Sequence, residues 1–445
     1  MKIACCTLLC AASLLAFPAG ILAADVSIDS STYFGFARKD VTGAVKETLL
    51  PATQFLGLTV AGLGDGNLSL HLYGWGRTDL GDKSSSKAVS NDIASFNSDK
   101  STGSLSYGYL QYRFNQANAT VRGGRFSIHE GIANELVDGV SVRTDLPLGF
   151  GLSAFGGATV HTAKIYGEYS DGKGDFLSGG RLNYRYGGLL EIGLSGVYET
   201  AAPKLVTRTA ANYRRVGGDL WLTPVKAVDI IGHSSYNPET KQFADHSYLI
   251  TFKPYQKLNL TGEFNQQRDQ SFLYAWTMFS SSALNPNDKS TSYGGSASYE
   301  VSKNVEAAAD YKHYSRERGT AERFGGDVRL NFQENSVRGG IGYHYLNAAS
   351  GFAIGTNPSA SYHELRCYVM HDTKGLFSAI DLLGNRFKEK IYNETNAWET
   401  TATLGYHITP TLALSGDVGY GRNPQFTEEV KGLLRVTYNF IGGKK

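Results

Sequence analysis

Apolar and polar residues alternate with a period of two along most of this chain. In "GLLRVTYNF" (432–440), Leu434, Val436, Tyr438 and Phe440 share one parity, while Leu433, Arg435, Thr437 and Asn439 share the other. Successive side chains of a strand point to opposite faces, so this segment predicts a strand with one oily and one largely polar face. "RLNYRY" (181–186) repeats it, with Leu182, Tyr184 and Tyr186 set against Arg181, Asn183 and Arg185. "LEIGLSGVY" (190–198) sets Leu190, Ile192, Leu194 and Tyr198 against Glu191 and Ser195. The pattern continues in "YLITF" (248–252), "LNLTGEFN" (258–265), "DVRLNF" (327–332), "VRGGIGYHY" (337–345), "ATLGYH" (402–407) and "LALSGDVGY" (412–420). Short segments such as "KPYQK", "QEN" and "ITPT" separate these runs in pairs, which predicts hairpins.

The connections between hairpins read as longer and more polar, as at 79–102, 161–175, 268–290 and 346–361. Short turns alternating with long loops is the asymmetry of an outer-membrane barrel, with short turns at the periplasm and long loops outside. About ten hairpins and a terminal strand at 429–440 give an odd number. A first strand at 30–40, followed by a loop at 41–52, brings the total to about 22, within roughly two either way.

Composition sharpens this picture. The chain begins with Lys2, an apolar run from Ile3, then Pro18, Gly20, Ala23 and Ala24 before Asp25. That is the layout of a secretory signal peptide, so residues 1–24 are expected to be removed and 25–445 to form the barrel domain. Three of the four cysteines lie in the leader, which leaves Cys367 alone and excludes an internal disulfide, a cysteine metal cluster and an attached c-type haem. The leader carries one basic and no acidic residue, so the formal charge of +2 becomes +1. That balance argues against a nucleic-acid binder. No later stretch predicts a transmembrane helix. The 27 Tyr, 22 Phe and 52 Gly, against 11 Pro, favour β-structure at a membrane surface.

A soluble sandwich would also alternate, yet this length of it would show breaks between domains, and the alternation runs without them. A closed sheet in lipid must satisfy every backbone group by strand pairing, which forces an unbroken meander. Aromatic residues fall at strand ends: Phe114, Tyr186, Tyr198, Phe252, Phe332, Tyr345, Tyr406, Tyr420 and Phe440. Those positions suit aromatic girdles between headgroup and hydrocarbon. The fold class expected is all-β, a single closed antiparallel transmembrane barrel without a plug domain. On these features the chain resembles the Gram-negative outer-membrane β-barrel proteins, the porin-like ones in particular. The likeness is architectural and covers the whole mature sequence. Such barrels usually end in an aromatic residue; here Phe440 holds that place and "IGGKK" follows.

The polar parity is expected to line the lumen with Arg113, Arg122, Arg181, Arg185, Glu191, Glu263, Asp310, Lys312, Arg329, Arg338, Arg366, Asp417 and Arg435. A packed core could not hold so many unpaired charges, whereas a water-filled passage can. The basic surplus raises the local concentration of anions. Twenty-two strands spaced about 4.8 Å apart and tilted roughly 40° close into a cylinder about 45 Å across, with roughly 25–30 Å left between side chains. Two functions follow. One is a passive channel for small hydrophilic solutes in the outer membrane. The other is a sheath around a separate multihaem cytochrome, as in the barrels of porin–cytochrome conduits. An enzyme is disfavoured, since GxSxG and HExxH are absent and the histidines are scattered. No cofactor or metal motif is present. The expected partners are outer-membrane lipid and small solutes, with a homo-oligomer by fold analogy or a lumenal protein left open.

Overall fold

The computed structural model describes residues 24–41, 47–80, 101–160, 175–203, 210–268, 289–316, 319–334, 336–349, 361–391, 393–424 and 426–442. Residues 1–23 lie outside them, as do 81–100, 161–174, 269–288 and 350–360, so the expected leader and most of the four expected long loops concern residues outside the description.

The strand segments are β1 (Asp25–Val41), β2 (Glu47–Leu49), β3 (Pro51–Leu63), β4 (Leu68–Asp79), β5 (Ser101–Phe114), β6 (Ala119–Glu130), β7 (Ala133–Asp145), β8 (Phe150–Thr159), β9 (Leu177–Tyr186), β10 (Leu190–Pro203), β11 (Ala210–Val225), β12 (Val228–Asn237), β13 (Gln242–Tyr255), β14 (Leu258–Gln267), β15 (Ser290–Ser302), β16 (Val305–Arg316), β17 (Gly319–Phe332), β18 (Val337–Ala348), β19 (Tyr362–Asp372), β20 (Leu376–Ile391), β21 (Glu394–Thr409), β22 (Leu412–Arg422) and β23 (Phe426–Gly442). Each pairs antiparallel with its chain neighbours. β2 and β3 are one wall strand interrupted at Leu50, since both pair with β1. β1 also pairs with β23, Ile28 opposite Phe440, and that contact closes a barrel of 22 wall strands. Closure joins the first wall strand to the last, so the ladder runs continuously around the wall.

The register sorts the side chains as the alternation predicts. On β9 and β10, Leu182, Ile192 and Leu194 are 48%, 46% and 69% exposed, while Arg181, Asn183 and Ser195 on the other parity are buried. One face of the closed wall is therefore apolar and exposed, the other largely polar.

Two expectations are corrected here. The strands run further than the polar composition of their ends suggested. β1 runs from Asp25 to Val41, β2 and β3 take up 47–49 and 51–52 of the expected first loop, and β18 reaches Ala348. Nor are all connections at the far end long. β6 meets β7 through Gly131 and Ile132 alone, and β12 meets β13 through 238–241. The polar residues assigned to loops continue the ladders instead, because a strand whose backbone partners are available gains more from pairing than from solvation of its tip.

Candidate functional site

β6 and β7 depart from the wall, and their departure builds the site. β5 stops pairing with β6 at Gly108 opposite Arg125, and β8 stops pairing with β7 at Thr159 opposite Val137. Beyond those points, apart from the Val160 amide donating to the Leu136 carbonyl at 2.9 Å, the two strands pair with each other, ending at Glu130 opposite Ala133. The parity that carries Arg122 and Ser141 turns apolar there: Phe126 faces Val137, and Ile128 follows. Gly124 holds φ +126°, and a Cβ on it would collide with the Gly108 carbonyl, so only glycine fits where β6 leaves β5.

The freed hairpin leans over the polar face of its neighbours as far as β11. The Glu130 carboxylate accepts a 3.0 Å hydrogen bond from Ser153 Oγ on β8. The Ile132 amide donates to Ser195 Oγ on β10 at 3.1 Å. At the tip, Gly131 holds φ +60°, and a Cβ there would meet Ser195 and lie 3.0 Å from Asp219 Oδ2 on β11. Gly217 of β11 lacks the Cβ that would come within 2.7 Å of Ile132 Cγ2. Underneath, Phe155, Leu177 and Val197 break the polar parity of β8, β9 and β10. They join Phe126, Ile128, Ile132, Ala133 and Val137 in a buried cluster. Each large side chain buried this way contributes about 1.5–3 kcal/mol, so the hairpin is held in place by a small core of its own.

Beside the tip lies an ion-pair network. Arg181 Nε donates to Asp219 Oδ2 at 3.0 Å and its Nη2 to Glu191 Oε1 at 2.9 Å, while Arg185 holds the other Glu191 oxygen at 2.8 Å. Gly193 makes room for it, because a Cβ there would strike Arg181 and Asp219.

The thirteen expected lumen residues all fall on the polar face, and most are paired rather than free. Lys312 meets Glu263 at 2.6 Å, Arg329 meets Glu306 at 3.1 Å, Arg366 meets Asp381 at 2.8 Å, and Arg435 lies 3.7 Å from Asp417. Arg122 donates to Gln111 at 2.9 Å. Asp310 binds Arg323 at 3.0 Å. Arg113 stands exposed beside the turn at 115–118, and Arg338 is half-buried opposite Asn331. Arg181, expected to face water, is only 9% exposed because its partners and the hairpin cover it.

The nine aromatics expected to form girdles all fall on the apolar face, at two levels. Phe114, Tyr186, Phe252, Phe332, Tyr406 and Phe440 stand near the short-turn end; Tyr198, Tyr345 and Tyr420 stand near the other. Tyr198 and Tyr345 are half-covered, the first by the Arg214 guanidinium 5.3 Å from its ring, the second by His363 and Phe324.

Among the described residues, Asp310, Asp327 and His344 come close enough together to share a cation. His344 Nε2 lies 2.7 Å from Asp310 and 3.8 Å from Asp327. Arg323 contacts Asp310 at 3.0 Å and Glu364 at 3.6 Å, and His344 also lies 3.8 Å from Glu364, so these side chains form an ion-pair cluster on the wall.

No family model matches the chain. No curated protein matches it either. Solved structures do. The ferric enterobactin receptor PfeA of Pseudomonas aeruginosa, in one mutant form, is 11% identical over 94% of this chain and 80% of its own, with a TM-score of 0.58. A second mutant form is 10% identical, with 94% and 81% covered and a TM-score of 0.59. OccK3 (OpdO) of the same organism is 9% identical over 94% of this chain and 97% of its own, at a TM-score of 0.44. The fold of this chain is that of an outer-membrane β-barrel.

Proposed function

We propose that this protein is an outer-membrane channel that passes small hydrophilic solutes passively through a water-filled bore. The observation that carries the reading is the partition of faces across a closed wall. Side chains such as Leu194, Leu404 and Val418, 69%, 61% and 60% exposed, all lie on one face. Lipid suits that face, since each exposed apolar side chain in water forgoes about 1.5–3 kcal/mol. The polar face, which carries the thirteen expected positions among its charges, then lines the bore, and the apolar aromatics stand at the two interfaces. Residues 1–24 act as the export signal in this reading.

The hairpin of β6 and β7 is the constriction. It covers the polar face of β8 to β11 and narrows a bore that would otherwise be wide for the cell to leave open. Because the pairs on the wall nearly balance, selectivity comes from the hairpin's surroundings more than from net charge. The sheath reading has no observation of its own, and a hairpin packed on the polar face of β8 to β11 leaves less room for a large occupant.

The test is planar-bilayer recording on the purified, refolded barrel in KCl. Discrete, stable conductance steps are expected. A folded barrel that inserts into the bilayer and gives no steps overturns the reading.

A further inference from the structure

We propose that the space between the hairpin tip and the wall is a binding subsite for a small amphipathic carboxylate, a solute with one anionic head and a short apolar body. This deepens the channel reading and rests on it for the subsite's role, though binding itself is measured separately.

The first observation is an apolar row in the wrong place. Trp221 lies opposite Ile231, and Ile231 opposite Leu249, on the adjacent strands β11, β12 and β13. Trp221 also lies opposite Glu191, and Leu249 opposite Glu263, so the three share the polar face with those carboxylates. They are 36%, 43% and 37% exposed. The buried cluster under the hairpin does not include them. An apolar strip left open on an otherwise charged face is a surface an apolar group can cover.

The second observation is the balance of charge around the strip. Glu191 and Asp219 are held by Arg181 and Arg185, and Glu263 by Lys312 at 2.6 Å. Glu130 accepts from Ser153. Arg143 differs. Its side chain is 51% exposed, and its ion-pair contact with Glu130 is 3.6 Å, beyond hydrogen-bond length. A guanidinium in that condition offers its donor fork to a carboxylate.

The third is shape. Arg143, the tip residues His129 to Gly131 and the apolar strip line one cavity of about 690 Å³. Ligand sites of about 300–1,000 Å³ are typical for small organic molecules. The cavity holds both features, so an acid with an apolar tail matches its chemistry at both, whereas acetate offers the anionic head alone.

The experiment titrates hexanoate, acetate and hexylammonium into the folded barrel in lipid nanodiscs by calorimetry, with block of single-channel current as the second readout. Hexanoate is expected to bind about tenfold more tightly than acetate, from the methylenes laid on the strip. Hexylammonium is expected not to bind. Arg143→Gln and Trp221→Ala are each expected to weaken hexanoate by tenfold or more, while Leu182→Ala on the apolar face leaves it unchanged; the gel shift on heating shows that each variant is folded. Equal binding of hexanoate and hexylammonium, or an Arg143→Gln barrel that binds hexanoate like the parent, overturns the subsite. Because calorimetry needs no current, an absence of conductance overturns the channel reading alone, and conductance without hexanoate binding overturns the subsite alone.

Discussion

The backbone amide of Ile132 donates to the hydroxyl of Ser195, 63 residues away and four strands along the wall. That bond ties the tip of a free hairpin to the polar face of the barrel. Removing the hydroxyl strands a buried donor, at a cost of about 1–3 kcal/mol. Ser195→Ala is therefore expected to loosen the tip without unfolding the barrel, because the cluster beneath remains. Single-channel recording should show larger open-state current noise than in the parent. A quiet, unchanged trace would mean that the bond does not hold the constriction.

Deleting the tip makes a stronger test of the same element. With 127–135 replaced by a two-residue turn, Phe155, Leu177 and Val197 lose their cover, but the wall ladders from β8 to β11 stay intact. The unit conductance is expected to rise several-fold. A conductance equal to the parent's would place the constriction elsewhere in the bore.

Much of this architecture was legible in the chain. The parity of "RLNYRY" and "LEIGLSGVY" assigns Arg181 and Leu182 to opposite faces, as the register does, and the strand count comes out at 22. The hairpin was not read. Period two says which face a side chain takes, but not whether the strand stays in the wall. The usable signal was the change at Gly124, where the parity of Arg122 continues as Phe126 and Ile128. The strip of Trp221, Ile231 and Leu249 was hidden for another reason. In "DLWLT", "DIIGH" and "YLITF" both parities carry apolar residues, so only the cross-strand register assigns a face. Pairing was hidden too. Arg181 and Asp219 stand 38 residues apart, and nothing local announces that Gly193 clears the space between them.

The assignment of faces can be tested residue by residue in a Cys367→Ser background, which removes the free thiol found among the described residues. With the barrel in liposomes, a membrane-impermeant maleimide is expected to label Arg185→Cys and Arg435→Cys. It is expected to leave Leu182→Cys and Leu434→Cys unlabelled. Arg181→Cys should react more slowly than Arg185→Cys, since the hairpin and Asp219 stand over that position. Labelling of the two leucine positions with protection of the arginine positions would invert the assignment.

At the short-turn end, the Asp65 carboxylate accepts a hydrogen bond of 2.6 Å from the Tyr112 hydroxyl, and the Asn67 amide donates to its other oxygen at 3.0 Å. These bonds, Tyr112's first, hold the Asp65 carboxyl below its ordinary range. A lowered folded value stabilises the turn at pH above the unfolded carboxylate range, and the effect is lost as pH falls through the folded value. Tyr112→Phe is expected to move the Asp65 titration, followed by carboxyl ¹³C shifts of labelled aspartate, up toward the ordinary value. A curve that does not move would remove Tyr112 as the cause.

Ile192 offers the sharpest test of the lipid assignment. It lies third in β10, opposite Tyr184 and Leu220, and is 46% exposed on the apolar face. In water such a position accepts a charge at little cost, because an exposed arginine stays hydrated. In hydrocarbon it does not, and an arginine on the lipid face of a barrel costs about 2–4 kcal/mol near the midplane, falling to about 0–1 kcal/mol near an interface. Since Ile192 stands only a few residues from the turn at 187–189, the expected cost for Ile192→Arg lies between those limits. Leu194→Arg, two residues deeper, is expected to cost more. Both are measured as the shift in urea-dependent folding into bilayers. The ordering carries the argument: a penalty that grows from 192 to 194 follows the depth of a membrane, whereas two equal penalties near zero would place that face in water.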